Sequence, residues 1–238
     1  MDKLYIVIPA YNEQETLGEV IRQWYPVVER YSGDGASRLV IINDGSSDHT
    51  WDILQEYAQT HPLLQPLTKE NGGHGETLLY GYHYALEQGA DYIFQTDSDG
   101  QTLPEGFDDF WEARTEHDMV IGWRKGRQDG FARVIVTKVL KLVILMCFHI
   151  SVKDANTPYR IMNAKKLQEY IGYVPEGFFL SNVLLTVLFT KKSDVKYIPI
   201  TFRPRQGGVN SINMKKIVRV GWQALKDFHR INKEISKN

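Results

Sequence analysis

Four short apolar runs recur through the first 123 residues, at Leu4–Ile8, Leu39–Ile42, Tyr92–Gln95 and Met119–Gly122, with helical patterns between them. None of these runs alternates polar and apolar residues, so each strand is expected to be covered on both faces. Strands separated by helices pair in parallel. This pattern constrains the chain more than any other feature. It predicts an α/β fold with a Rossmann-like, mostly parallel central sheet flanked by helices. Leu17, Val20, Ile21 and Trp24 share one face of a helix over residues 13–31, which Pro26 is expected to kink or end. Ser47 or Asp48 can cap a helix running to Tyr57, and a weaker strand is expected near 63–67. Residues 75–88 read as a helix stopped by Gly89, and a short helix follows Pro104.

The second half is less regular. It predicts one long apolar helix over 131–149, a strand or turn at 158–163, an apolar helix over 178–190 and a strand over 195–202. The polar loop RPRQGGVNS then precedes a last helix from Met214 to about Lys233. No repeat or linker divides the chain, so a single domain is expected, with a nucleotide half (1–123) and a C-terminal, helical acceptor half (124–238). The single cysteine, Cys147, excludes an internal disulfide framework and suits a reducing compartment. A net charge of −1 offers no general field for nucleic acid. The first apolar run, ended by Asn12 and Glu13, is too short for a signal-peptide core. Lys138 and Lys141 interrupt the most hydrophobic stretch, which keeps it from reading as a membrane span. The helix over 131–149 reads equally as a core helix and as an interfacial one, with both lysines near lipid phosphate.

Three strands end in polar clusters: Pro9, Tyr11, Asn12 and Glu13 after the first, Asp44 with Gly45 and Ser46 after the second, and DSDGQ (Asp97–Gln101) after the strand at Tyr92. A parallel sheet brings these tips to one edge, where ligands of such folds bind. Asp44, Asp97 and Asp99 would then share a crevice, and like charges so placed call for a cation or for hydrogen-bond donors. Asp-x-Asp followed by Gln101 supplies hard oxygen ligands suited to Mg²⁺ or Mn²⁺ shared with substrate phosphates. His74 and His83 read as a loop polar residue and a helix-surface residue rather than as metal ligands.

In their order, VIPAYNE, INDGSSDHT, NGGHGET and TDSDGQ resemble family 2 glycosyltransferases of the GT-A fold. The resemblance implies that Pro9, Tyr11, Glu13, Ile42, Asp44, Asp97, Ser98, Asp99, Arg124 and Arg205 bind a nucleotide-diphosphate sugar, linked to UDP or GDP. It also implies that Asp97, Asp99 and Gln101 surround the metal. Within the family, Gln101 and the segment GWRKGRQDGFAR resemble dolichyl- and polyprenyl-phosphate sugar transferases. That likeness implies that Arg124, Arg133 and Thr137 meet the acceptor phosphate. DANTPYR, from Asp154 to Arg160, is similar to an Asp…Gly-Phe-Arg segment of that group, with Pro158-Tyr159 in place of Gly-Phe. Arg205 matches a donor-binding arginine, while Asn210-Ser211 stands where the group carries Ser-Lys.

The reaction so implied is an inverting transfer of a sugar to a polyprenyl (undecaprenyl or dolichyl) phosphate, with Asp99, Arg124, Arg133 and Asp154 as the catalytic set. An ionised phosphate needs positioning more than a base. A sugar hydroxyl of a growing glycan, the alternative acceptor, would need a carboxylate base, for which Asp154 and Glu176 are the candidates. A non-catalytic module that binds nucleotide sugars is the alternative of another class. The expected location is cytoplasmic, at the inner face of the membrane, through peripheral contact.

Overall fold

The computed structural model describes residues 2–33, 35–124, 131–203, 224, 225 and 227–233, the side chains of 131–136 apart. Seven strands form one sheet: β1 (Leu4–Ala10), β2 (Arg38–Asp44), β3 (Leu64–Lys69), β4 (Tyr92–Gln95), β5 (Met119–Arg124), β6 (Arg160–Asn163) and β7 (Val195–Ile200). Their order is β3-β2-β1-β4-β6-β5-β7. Every pairing is parallel except those of β6, which runs antiparallel to both β4 and β5.

The continuous apolar runs follow from this layering. Val7, Val40, Ile42, Ile93 and Ile121 face one core, while Ile6, Ile8, Leu39, Ile41, Phe94 and Val120 face the other. Successive side chains of a strand point to opposite faces, so a strand covered on both sides must be apolar at every position. The second core is closed by α1 (Leu17–Arg30), α2 (Thr50–Ala58) and α4 (Phe107–Ala113). The first is closed by α3 (His74–Glu87), α5 (Phe131–Phe148), α6 (Ala164–Ile171) and α7 (Ser181–Lys192). On α3, a Cβ at Gly81 would lie 2.6 Å from Val7 Cγ1 and 2.8 Å from Ile42 Cδ1. Only glycine lets that helix sit so close to the sheet.

Some elements depart from expectation. Pro26 neither ends α1 nor carries its packing face: the ring is exposed, and the helix runs on to Arg30 because Val28 is buried beyond it. The α6 helix was not expected, although Asn163 caps it by accepting from Lys166 N, and Leu167, Tyr170 and Ile171 share its buried face. The α7 helix is core, buried at every position from Ser181 to Phe189. The α5 helix resolves into two faces. Val143, Ile144 and Phe148 are buried, whereas Val139, Leu142, Leu145 and Met146 are 46–63% exposed. Of the expected last helix, residues 224–225 and 227–233 are helical, and Phe228 packs 5.4 Å from Phe148. Its first part, residues 214–223, and the RPRQGGVNS loop from Pro204 onward lie outside the described residues. No described helix is long and apolar enough to cross a membrane.

Candidate active site

Because β2, β1 and β4 are adjacent and parallel, their carboxyl ends meet at one edge. Two stitches hold these ends together. Asn12 N donates to Ser46 Oγ (3.0 Å) and Ser47 N to Asn12 Oδ1 (2.9 Å), joining β1 to β2. Ser98 Oγ donates to Pro9 O (2.8 Å), and Thr16 Oγ1 donates to Ser98 O (2.9 Å), joining β4 to β1. Between the ends lies a cavity of about 460 Å³, within the range of small-molecule sites. Pro9, Tyr11, Glu13, Asp44, Asp97, Ser98 and Asp99 all line it. Tyr11 is 51% exposed, an aromatic face open to a ligand. Ile42 does not reach the cavity. Its side chain is fully buried against α3, because residues of β2 alternate between the two cores.

Asp44 is more an anchor than an open carboxylate. It accepts from Gly72 N and Lys69 Nζ on one oxygen (2.9 and 3.0 Å) and from Gly73 N on the other (2.9 Å). Burial alone would raise its pKa, but these donors and Thr77 outweigh it and hold the carboxyl below its usual value. A carboxylate offers about four acceptor sites, and these donors engage both oxygens of Asp44. The anchored loop passes close behind Gly45 (φ +64), where a Cβ would lie 2.7 Å from Asn71 N.

That loop also delivers a histidine read from the sequence as a loop polar residue. His74, at the start of α3, lines the cavity with its Nε2 3.1 Å from Asp97 Oδ1. Desolvation would lower its pKa, but the Asp97 carboxylate prevails and raises it. The missed signal is positional: His74 follows two glycines and opens a helix whose first turn borders the edge.

The aspartates of DSDGQ differ in their surroundings. Asp97 is 27% exposed and has His74 on one oxygen. Asp99 Oδ1 accepts from Gln101 N at 3.1 Å. Gln101 donates its amide N–H to Arg203 O (3.1 Å), and Arg203 N donates back to Gln101 O (2.9 Å); neither bond uses the amide oxygen through which it would meet a metal. Gln101 straps the loop to the segment leaving β7. Among the described residues no group of three or more His, Cys, Asp or Glu is arranged to hold a metal ion alone. Mg²⁺ is usually held by one or two carboxylates with substrate phosphates filling the shell. Asp97 and Asp99 fit that donor set.

At the far side of β4, Arg124 ends β5 on the same edge. Its Nε and Nη2 donate to Asp154 Oδ2 and Oδ1 at 2.9 and 3.0 Å, and its guanidinium lies 5.4 Å from the Phe202 ring. Asp154, a base candidate for a hydroxyl acceptor, has both oxygens engaged by Arg124, and its side chain is 7% exposed. Thr137 is half-buried on α5. The Arg133 side chain and Arg205 lie outside the described residues.

The architecture is the GT-A fold. Over 97% of this chain it matches glucosyl-3-phosphoglycerate synthase from Mycobacterium tuberculosis, solved with Mn²⁺, UDP and phosphoglyceric acid, at a TM-score of 0.69, 15% identity and 78% of that chain. Mannosyl-3-phosphoglycerate synthase from Rubrobacter xylanophilus matches at 0.66 and 14% identity, over 99% of this chain and 75% of that one. The chain belongs to glycosyl transferase family 2, whose family model matches residues 5–180. Among curated relatives, the undecaprenyl-phosphate 4-deoxy-4-formamido-L-arabinose transferase of Sodalis glossinidius is 25% identical over 223 residues, 92% of this chain and 66% of that protein. The enzyme of that name from Salmonella choleraesuis is 32% identical over 146 residues, 60% of this chain and 43% of that one. The chain thus spans less than two thirds of the length of either.

Proposed function

We propose that this chain is an inverting glycosyltransferase that moves a sugar from a nucleotide-diphosphate sugar to a polyprenyl phosphate such as undecaprenyl phosphate. The observation that carries this reading is the division of one sheet edge into an acidic cavity, with Asp97 and Asp99, and a cationic end, with Arg124. A phosphate oxygen of the acceptor attacks the anomeric carbon as the bond from that carbon to the nucleoside diphosphate breaks. Tyr11 and Asp44 hold the base, and Glu13 and the Gly72–Gly73 backbone shape the cavity wall. Mg²⁺ or Mn²⁺ held by Asp97 and Asp99 would neutralise the departing diphosphate. Arg124, pre-aimed by Asp154, meets the acceptor phosphate as a fixed cation.

A phosphate acceptor also suits the engagement of Asp154, one of the two base candidates, by Arg124. The exposed face of α5 supports peripheral contact with a membrane. Lys138 and Lys141 are exposed among Val139, Leu142, Leu145 and Met146, a mixture suited to the headgroup zone.

A donor screen tests the reading: UDP- and GDP-sugars, with Mn²⁺ or with chelator, against undecaprenyl phosphate in vesicles and against free saccharides, read by product mass. The expected product is a glycosylated polyprenyl phosphate that disappears with chelator. Products on saccharides alone would refute the lipid acceptor, and turnover unaffected by chelator would refute the metal.

A further inference from the structure

We propose that Arg160 is a positioning residue for the acceptor phosphate, holding the 154–157 loop so that Asp154 can aim Arg124 at the sheet edge. The proposal rests on the polyprenyl-phosphate reading and names how that site is built.

Arg160 opens β6, in register with Gln95 of β4 on one side and Ile121 of β5 on the other. It therefore stands between the strand that leads into Asp97 and the strand that leads into Arg124. Its side chain is fully buried. Every hydrogen bond it makes goes to a neutral acceptor: Nε and Nη2 to Thr157 O, Nη2 to Ala155 O (3.2 Å), and Nη1 to Asn182 O (2.9 Å) and Thr186 Oγ1 (3.0 Å). Among the described residues no carboxylate is in ion-pair contact with it. Burial pushes its pKa below the usual value, but a guanidinium stays protonated in proteins.

Burying a cation without an ion-pair partner is unfavourable, and packing alone could be satisfied by an apolar side chain. What an apolar residue could not do is gather two carbonyls of one loop and two acceptors of α7 on one rigid fork. Three of the five bonds go to the loop that begins with Asp154, and Thr186 supports the same loop, its Oγ1 lying 2.9 Å from Ala155 O. With Ala155 O and Thr157 O drawn inward, Asp154 presents both its oxygens to Arg124. The fork therefore acts on the acceptor through Asp154 and Arg124, while the hydrogen bonds of the donor cavity do not pass through it.

The test compares Arg160→Lys, which keeps the charge and loses the fork, with Thr186→Val, a near-isosteric change that removes one hydroxyl. Binding of UDP with Mn²⁺ is measured by calorimetry, and KM and kcat by initial rates with undecaprenyl phosphate. Donor affinity is expected to stay within about twofold of wild type. KM for undecaprenyl phosphate should rise about tenfold or more in Arg160→Lys and about threefold in Thr186→Val, in keeping with the cost of small misplacements of a positioned group. If Arg160→Lys does not fold, Thr186→Val decides alone. An unchanged acceptor KM, or acceptor KM and donor affinity deteriorating together, overturns the positioning role. A wild-type enzyme that ignores undecaprenyl phosphate removes the function and this inference together. One that uses it while both variants do so equally removes the inference alone.

Discussion

On the edge formed by β1, β2 and β4, four acidic side chains, Glu13, Asp44, Asp97 and Asp99, line one cavity, with Lys69 and His74 as the nearby basic partners. On the edge formed by β5 and β6, Arg124 is paired with Asp154, while the fully buried Arg160 holds the carbonyls of Ala155 and Thr157. One sheet edge thus carries an acidic end suited to an outside cation and a basic end suited to an outside anion. The two ends also treat their carboxylates differently. Asp154 is pinned by two charge-assisted bonds in a buried pair, whereas Asp97 is partly open to solvent. The difference separates a carboxylate engaged within the protein from one left partly open to solvent.

Removing a carboxylate from each end gives the largest contrast. Asp99→Ala should lower transfer by about a thousandfold or more, as expected when a group that stabilises developing charge is lost. Its melting temperature should move by less than about 2 °C, since no packing is removed and like-charge repulsion is relieved. Calorimetric melting alongside turnover checks both, and wild-type-like turnover with metal present would break the comparison.

Asp154→Ala should behave in the opposite way, costing about 1–3 kcal/mol of stability because it leaves the half-buried Arg124 cation without its partner. Denaturant unfolding measures this. A variant as stable as wild type would show that the pair is not a structural element.

The smallest effect sharpens the place of Asp44, which belongs to the acidic end yet is held like Asp154. Its folded pKa lies below the unfolded value of about 3.9. Its stabilising contribution is therefore fully present above that value and lost as pH falls through the folded pKa. Between about pH 5 and pH 3, wild type should lose more stability than Asp44→Asn, seen as a steeper fall of the unfolding midpoint. Parallel curves would mean that Gly72, Gly73 and Lys69 do not hold a charged Asp44.

The sheet was legible in the sequence because burial on both faces leaves no choice of residue: the Tyr92–Gln95 strand is observed with the bounds its apolar run suggested. The α6 helix was less legible, since its eight residues carry little periodicity and depend on the Asn163 cap. In the cavity, Pro9, Tyr11, Glu13, Asp44, Asp97, Ser98 and Asp99 came together as their places at strand ends implied. The setting of His74 and that of Arg160 were not legible, although Arg160 closes the DANTPYR segment. The first depends on how Asp44 folds a loop in from β3, and the second on the register of an antiparallel strand inserted between β4 and β5.

By itself, the sequence determined the α/β layering and the edge at which charged side chains gather, because strand periodicity and strand-end position are local properties of the chain. Only the tertiary structure decided which of those charges are spent on one another. The pairing of Arg124 with Asp154 and of Lys69 with Asp44 joins residues 30 and 25 positions apart. Whether a carboxylate is a ligand or an anchor depends on the donors that packing brings within about 3 Å of it, and no local pattern records that.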